Sequence, residues 1–144
     1  MKENINALDE INKGATMGMD AIDDILDKVK SNSFKKMIEK QYQEYDKISK
    51  HINEIYDKYN SEDEPHKTSV VNKVMTWYGV EMKTLTDKSD SKISEMMLNG
   101  TNMGIIKGVK LYNHNPDCDP DIRNILDEFI KFQENTVEQL KKYL

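Results

Sequence analysis

Residues 22–48 read IDDILDKVKSNSFKKMIEKQYQEYDKI, and this stretch decides the fold. Apolar residues recur every three or four positions on both sides of Ser31-Asn32-Ser33, which is the spacing of one face of an α-helix. A link of three residues places two successive long helices side by side and antiparallel. The stretch therefore predicts a helical hairpin, with a first helix over about 4–30 and a second over about 34–60, in which Ser33 is the N-cap.

A long connection is predicted after this hairpin. Residues 61–66 are acidic, contain Pro65 and carry no apolar position, so they predict a loop. Helical spacing returns over about 70–85, which predicts a shorter helix. A connection of this length can return the chain along the molecule, so we expect the second and third long helices to run parallel.

Two further long helices complete the prediction. The third covers about 89–113 and begins at Ser89, a residue type that favours N-caps. The fourth covers about 120–143, because Asp119 followed by Pro120 is a strong start signal. We therefore predict an all-α fold and a single domain over 1–144: a ferritin-like up-down-down-up four-helix bundle with a helical crossover between helices 2 and 3.

The composition excludes several classes of protein. The chain has 144 residues and a net charge of -5, and Arg123 is its one arginine, so we expect no nucleic-acid partner. No apolar run approaches the ~18–20 residues that span a bilayer, and residues 1–4 are not followed by the apolar segment of a secretory signal. Cys118 stands alone, which excludes an internal disulfide; we expect it to be a reduced, partly exposed thiol. We predict a cytoplasmic protein without membrane insertion.

A ferritin-like bundle raises the question of a di-iron site. Such a site takes a Glu from each of two helices and Glu-x-x-His from each of the other two, all facing inward. Glu44 and Glu128 have Lys47 and Lys131 at the position of the histidine. The three histidines fall on a helix flank or in loops: His51, His66 and His114. We therefore predict no metal site, no cofactor and no catalytic residue, and hence not an enzyme; the alternative is a metal-binding or redox protein with an atypical ligand set.

Glycines are concentrated in the middle of helices 1 and 3, at Gly14, Gly18, Gly100, Gly104 and Gly108. Each glycine inside a helix costs about 0.8–1 kcal/mol relative to alanine, so packing must offset the loss. We predict that the backbones of helices 1 and 3 approach closely at these glycines. Two alternatives stay open: the glycines make room for a ligand or a packed side chain, or they lie on an exposed face.

A polar layer is predicted at the same height of the bundle. Buried amides and hydroxyls need hydrogen-bond partners, so we expect these groups to satisfy one another and to fix the register of the helices. The alternative is a site for a small molecule or water. The layer contains Thr16, Gln41, Tyr45, Thr101, Gln133 and Thr136.

Trp77 and Tyr78 lie on the predicted crossover helix. A short apolar helix over a bundle often covers a groove or forms a contact between chains. We therefore expect these residues either to pack as a lid or to contact a second copy of the chain or another protein.

The middle third of the chain resembles a known type of protein. The segments MKTLTDKS (82–89), ISEMM (93–97) and GTNMGI (100–105) resemble an uncharacterised family of small helical proteins from Firmicutes bacteria. The resemblance implies a ferritin-like four-helix bundle, and it brings no activity and no catalytic residue. We therefore predict a binding or assembly protein without an intact metal site; besides the metal-binding alternative, a small-molecule binder that uses the mid-bundle core stays open.

Overall fold

A computed structural model of the chain describes residues 2–59 and 86–144. These ranges form four α-helices and one 3-10 turn, and they contain no strand, so the predicted all-α class is confirmed for them. The predicted crossover helix over 70–85 lies outside the described residues. The elements are α1 (Lys2–Ile25), the 3-10 turn (Leu26–Lys28), α2 (Asn32–Tyr59), α3 (Asp90–His114) and α4 (Pro120–Lys141).

The α1 helix ends earlier than the predicted boundary at about residue 30. The chain tightens into the 3-10 turn, and Val29 is extended with φ -73° and ψ 133°. This frees the backbone N–H groups of Lys30 and Ser31, which donate to the Asp90 carboxylate at 2.8 and 2.9 Å. In a continuous helix both amides would bond to the preceding turn. A spacing of apolar side chains carries no information on this use of the backbone, so the sequence overestimates the length of α1.

Of the two predicted serine N-caps, the cap of α3 is confirmed and the cap of α2 is wrong. Ser89 caps α3 as predicted, because its Oγ accepts from the backbone N–H of Lys92 at 3.2 Å. The predicted cap of α2 is wrong: the backbone N–H of Phe34 donates to Ser31 Oγ at 3.3 Å, and Ser33 lies inside the helix. Ser31 and Ser33 are equally suitable residue types for an N-cap. Because α1 ends early, α2 begins at Asn32, and Ser31 is the residue in the cap position.

The start of α4 is held by a backbone hydrogen bond and not by a side-chain cap. Asp119 occupies the N-cap position before Pro120, but its side chain makes no cap hydrogen bond. Its backbone N–H instead donates to Asn4 Oδ1 at 2.9 Å. This bond connects the first turn of α1 to the first turn of α4.

Contacts at the two ends of the molecule define where each helix begins. At one end, the Asp90 carboxylate ties the start of α3 to the turn between α1 and α2, and the ring of Tyr143 stacks on Phe34 with centroids 4.3 Å apart. At the opposite end, the Lys58 ammonium lies 2.8 Å from the Asp121 carboxylate. Hence α2 and α3 begin at the same end, and α4 begins at the other.

The core forms between two helix pairs, because α1 packs mainly along α2 and α3 mainly along α4. A buried hydrogen bond helps to set the register within each pair. Ser49 Oγ donates to Asn12 Oδ1 at 2.7 Å in the first pair, and Ser94 Oγ donates to the Leu140 carbonyl at 2.6 Å in the second. A fully buried Leu, Ile or Phe contributes about 1.5–3 kcal/mol to stability. The completely buried apolar residues include Leu8, Ile11, Phe34, Ile38, Ile52, Ile93, Ile122 and Leu126.

Candidate ligand-binding cleft

A cavity of about 440 Å³ lies between α1 and α3, and we call it the α1–α3 cleft. Its lining is mainly apolar, and each of the four helices contributes to it. Residues of α1 and α3 form two walls, and side chains of α2 and α4 form the floor between them. The α1 wall contains Gly14, Met17, Gly18, Ala21 and Ile22; the α3 wall contains Met97, Gly100, Thr101, Met103, Gly104, Gly108 and Leu111; the floor contains Gln41, Tyr45, Phe129 and Gln133.

The α1 glycines make room for two aromatic rings of the floor. A Cβ at Gly14 would lie 2.7 Å from Cζ of Phe129, and a Cβ at Gly18 would lie 2.5 Å from the ring of Tyr45. Real Cβ atoms do not approach other atoms this closely, so any larger residue would displace the rings. The rings of Tyr45 and Phe129 therefore occupy the space that side chains at Gly18 and Gly14 would need.

The α3 glycines receive side chains of α4. A Cβ at Gly104 would overlap the amide end of the Gln133 side chain, and a Cβ at Gly108 would lie 2.9 Å from Cγ1 of Ile130. We predicted a close approach of the α1 and α3 backbones, and the structure differs at these four glycines. The atoms nearest to these four glycines belong to side chains of α2 and α4. Gly100, the fifth glycine of the prediction, also lines the cleft. Glycine spacing predicts a close approach and does not tell whether a backbone or a side chain makes it.

Two buried amides border the cleft without complete hydrogen bonding. Gln41 is 2% exposed, and neither its Oε1 nor its Nε2 has a partner among the described residues. Gln133 is 3% exposed, and its Oε1 also lacks a partner there. An unpaired buried polar group costs about 1–3 kcal/mol. Both residues border the apolar cavity, while their unpaired atoms have almost no accessible surface.

Tyr45 forms the centre of the floor. Its ring packs edge-on against Phe132 with centroids 4.7 Å apart and against Phe129 at 6.4 Å. Burial raises the pKa of Tyr45 to about 12, although a hydrogen bond from Gln133 acts in the opposite direction. The phenol is therefore neutral throughout the physiological range, and the floor carries no charge.

An ion pair crosses one end of the cleft. The Lys107 ammonium of α3 lies 2.9 Å from the Glu10 carboxylate of α1, and Lys13 lies 3.0 Å from the same carboxylate. Partial burial acts to raise the pKa of Glu10, but the hydrogen bonds and positive charges of Lys107 and Lys13 outweigh it, so the pKa is lowered. Charge is thus confined to the rim, and the interior of the cleft is neutral.

The other members of the predicted polar layer do not enter this network. Thr101 and Thr136 each donate to a carbonyl of their own helix, at 2.8 Å to Met97 and 3.0 Å to Phe132. The Thr16 hydroxyl has no partner among the described residues. Tyr45 and Gln133 interact with each other, as the prediction of a mutually satisfied layer requires, but Gln41 and Thr16 do not follow it.

A second, shallower groove runs between α2 and α4 and is more polar. Lysines and acids both line it, and Gln41 and Met37 border it as well. Because charged side chains of both signs line it, this groove resembles ordinary solvated surface.

The candidate metal ligands are spread over the surface. Within residues 2–59 and 86–144, no group of three or more His, Cys, Asp or Glu side chains is arranged to hold a metal ion. Glu44, Glu128, His51 and His114 are exposed, and His66 lies outside the described residues. Cys118 is 5% exposed, so the predicted partial exposure is wrong, and burial raises the pKa of its thiol. It is buried because the turn before α4 folds against the start of α1, a tertiary contact that local sequence does not report.

Acidic residues near the end of α1 form a run that sequence analysis passed over. Burial, and then the charge of Asp23, raises the pKa of Asp20. Burial raises the pKa of Asp24 as well, and the charges of Asp23 and Asp27 act in the same direction. The spacing of Asp20 and Asp24 by four positions is visible in the sequence and indicates a like-charge pair on one helix face.

Comparison of the chain with family models, with curated proteins and with solved structures finds no match. The resemblance to a Firmicutes family remains a prediction. None of the helices in the described ranges is long and apolar enough to cross a membrane. Trp77 and Tyr78, the predicted contact residues, lie outside those ranges.

Proposed function

We propose that this protein binds a small, largely apolar molecule in the α1–α3 cleft, and that it acts as a binding protein and not as an enzyme. The observation that carries the proposal is the combination of a 440 Å³ cavity with buried amides that lack partners. Ligand pockets typically enclose about 300–1,000 Å³ and combine apolar walls with a few polar groups. The neutral floor and the charged rim fit a ligand without net charge.

The scaffold that we propose for this function is a ferritin-like up-down-down-up bundle. The contacts of Asp90 with the α1–α2 turn and of Asp121 with Lys58 support it, because they place the starts of α2 and α3 together. Such a bundle needs a long connection between helices 2 and 3, and residues 60–85 provide one. A bundle core is also a common location for ligand sites.

Assembly with a protein partner or with a second copy of the chain is a second candidate function. It is favoured by large apolar side chains that α3 exposes: Met103, at the edge of the cleft, is 64% exposed, Ile106 56% and Val109 39%. Exposed apolar groups in one row are typical of contact surfaces. A nucleic-acid partner stays disfavoured by the net charge of -5, and a cytoplasmic location remains our expectation.

The proposal is tested by titrating the protein with indole, a neutral apolar probe, and recording methyl signals of ¹³C-labelled methionines by NMR. Met17, Met97 and Met103 border the cleft, whereas Met37 borders only the α2–α4 groove. We expect saturable shifts of the three cleft signals and none at Met37, with a dissociation constant of about 1 mM or lower, equivalent to about 4 kcal/mol. The variant Ala21→Leu, which fills part of the cleft, should weaken binding several-fold.

Two results would contradict the proposal. One is the absence of any saturable shift, which would mean that the cleft is not open to a neutral apolar molecule. The other is an equal response of Met37, which would indicate nonspecific association of indole with apolar surface.

A further inference from the structure

The exposed apolar side chains of α3 form a surface that we call the α3 row: Met103, Ile106 and Val109. Successive members are three positions apart, so they are neighbours on the helix surface. Among the described residues, the one other large apolar side chain with comparable exposure is Leu144. The exposed apolar groups of the described ranges are therefore concentrated on this one helix.

The centre of the α3 row faces away from the core. Gly104 and Gly108 lie two positions before and after Ile106, and a Cβ at either glycine would meet a side chain of α4. Positions two apart point in nearly opposite directions on a helix, because each residue turns the chain by about 100°. Ile106 therefore projects away from α4 and is 56% exposed.

The charges around the row fit a partner surface without a strong charge of its own. The chain has a net charge of -5, but residues 96–116 contain no Asp or Glu. Lys107, next to the row, is already paired with Glu10 at 2.9 Å. Two acidic molecules repel each other, and this repulsion is smallest where both surfaces lack acidic side chains. The α3 row of a second copy is such a surface.

The lysines select one direction for two paired α3 helices. In a parallel pair, Lys107 and Lys110 would each lie level with the same residue of the partner, and like charges would repel. In an antiparallel pair centred on Ile106, Lys110 lies level with Asn102 of the partner subunit, which carries no charge. Ile106 then meets its own copy at the twofold axis, as a self-complementary interface requires.

We infer that two copies of this protein associate through an antiparallel pairing of their α3 helices, with Ile106 at the twofold axis and Met103 and Val109 on either side of it. The inference rests on the second candidate function, assembly with a second copy, and does not depend on a ligand in the cleft. The contact is one helix wide, which is less than the ~800 Å² per partner of a standard-size interface. We therefore expect an equilibrium between monomer and dimer instead of a permanent dimer.

Sedimentation equilibrium of the full-length protein, at concentrations up to about 1 mM, measures this association. Ile106→Lys places two like charges at the axis and should weaken association at least about tenfold, as a change at the centre of an interface does. Because Ile106 is exposed, the variant should fold, and circular dichroism checks this. Leu144→Lys, at an exposed apolar position outside the row, is the matched control and should leave association unchanged.

Single cysteines test the direction of the pairing. Packed helices lie about 8–10 Å apart, which brings facing residues within the Cα separation of a disulfide. Ile106→Cys should therefore form a linked dimer by itself when diamide is added as the oxidant. Asn99→Cys and Asn113→Cys should stay unlinked when alone and should link when the two variants are mixed. The wild-type protein, whose Cys118 is buried, is the control.

The outcomes separate the inference from the candidate function on which it rests. A protein that stays monomeric at every concentration overturns both, and would mean that a different partner covers the row. Association that Ile106→Lys leaves unchanged shows that assembly uses another surface, which overturns the inference alone. A linked dimer of Asn99→Cys by itself would indicate a parallel pair and would overturn the antiparallel arrangement. An equal loss in Leu144→Lys would show that the added charge, and not the row, is responsible.

Discussion

The two faces of α1 show opposite solutions to the same packing problem. Toward the core, Leu8, Ile11 and Ala15 are completely buried, and none of them borders the cleft. Toward α3, Gly14 and Gly18 carry no side chain, and a cavity of about 440 Å³ lies against them. One helix therefore has a face that stabilises the fold and a face that gives up stability for space.

This difference indicates where selection for function can act. A helical glycine costs about 0.8–1 kcal/mol relative to alanine, and unpaired buried amides add to the cost. A protein under selection for stability alone would fill such a cavity, because most cavity-filling changes are stabilising. The cleft face of α1 departs from local rules in the manner that functional sites do.

The largest expected effect is a truncation on the core face. Ile11→Ala should lower the free energy of unfolding by about 2–5 kcal/mol, because it leaves a hole in a filled region. Met17→Ala, on the cleft face of the same helix, should cost about 1 kcal/mol or less, because Met17 already borders empty space. Urea unfolding followed by circular dichroism measures both values. Equal losses at the two positions would remove the distinction between the faces.

The next effect separates two glycines of the cleft. Gly18→Ala should cost about 1–3 kcal/mol, because the added Cβ meets the Tyr45 ring, which is held against Phe132. Gly104→Ala meets only the flexible end of Gln133, so a gain in helix propensity of about 1 kcal/mol offsets the displacement and the net change stays within about 1 kcal/mol. Thermal unfolding of the two variants tests the order. A larger loss at position 104 would show that Gln133 is fixed and not free to move.

The smallest effect concerns the ion pair across the cleft. Because the pKa of Glu10 is lowered in the folded protein, the pair stabilises the fold above the ordinary glutamate pKa of about 4.3, and this stability is lost as the pH falls through the lowered value. Lys107→Gln should therefore cost about 0.2–1 kcal/mol at pH 7, and the difference from the wild-type protein should shrink as the pH is lowered below 4. Lys110→Gln, at an exposed position of α3, is the control. A cost that is independent of pH would show that Lys107 acts through packing instead of charge.

The sequence predicts the helices and their buried faces well, because large apolar residues report directly on burial. The seam of the first helical hairpin, from Leu8 and Ile11 to Ile48 and Ile52, lies in the core as the spacing indicates. The early end of α1 was not predictable, because it depends on Asp90, a residue 60 positions away from Lys30 that captures backbone amides.

The sequence identifies which residues form the candidate site, but not how they are arranged there. The five glycines and the amides Gln41 and Gln133 stand out in the sequence, and they do meet at one cleft. The sequence cannot tell what occupies the space beside a glycine, since a neighbouring backbone, a side chain and a ligand all require the same missing Cβ. The pairing of Thr101 and Thr136 with their own helices is a local choice that polar residues in helices often make.

The central claim, that α1 has one filled and one unfilled face, is tested most directly by two matched substitutions on that helix. Ala15 lies in the filled core and Ala21 borders the cleft. The free energy of unfolding should fall by about 1–3 kcal/mol in Ala15→Leu, where the added methyl groups have no space, and it should be unchanged or higher in Ala21→Leu, where they enter the cleft. A comparable loss in both variants would mean that the α1–α3 cleft is filled in the folded protein, and it would contradict this account.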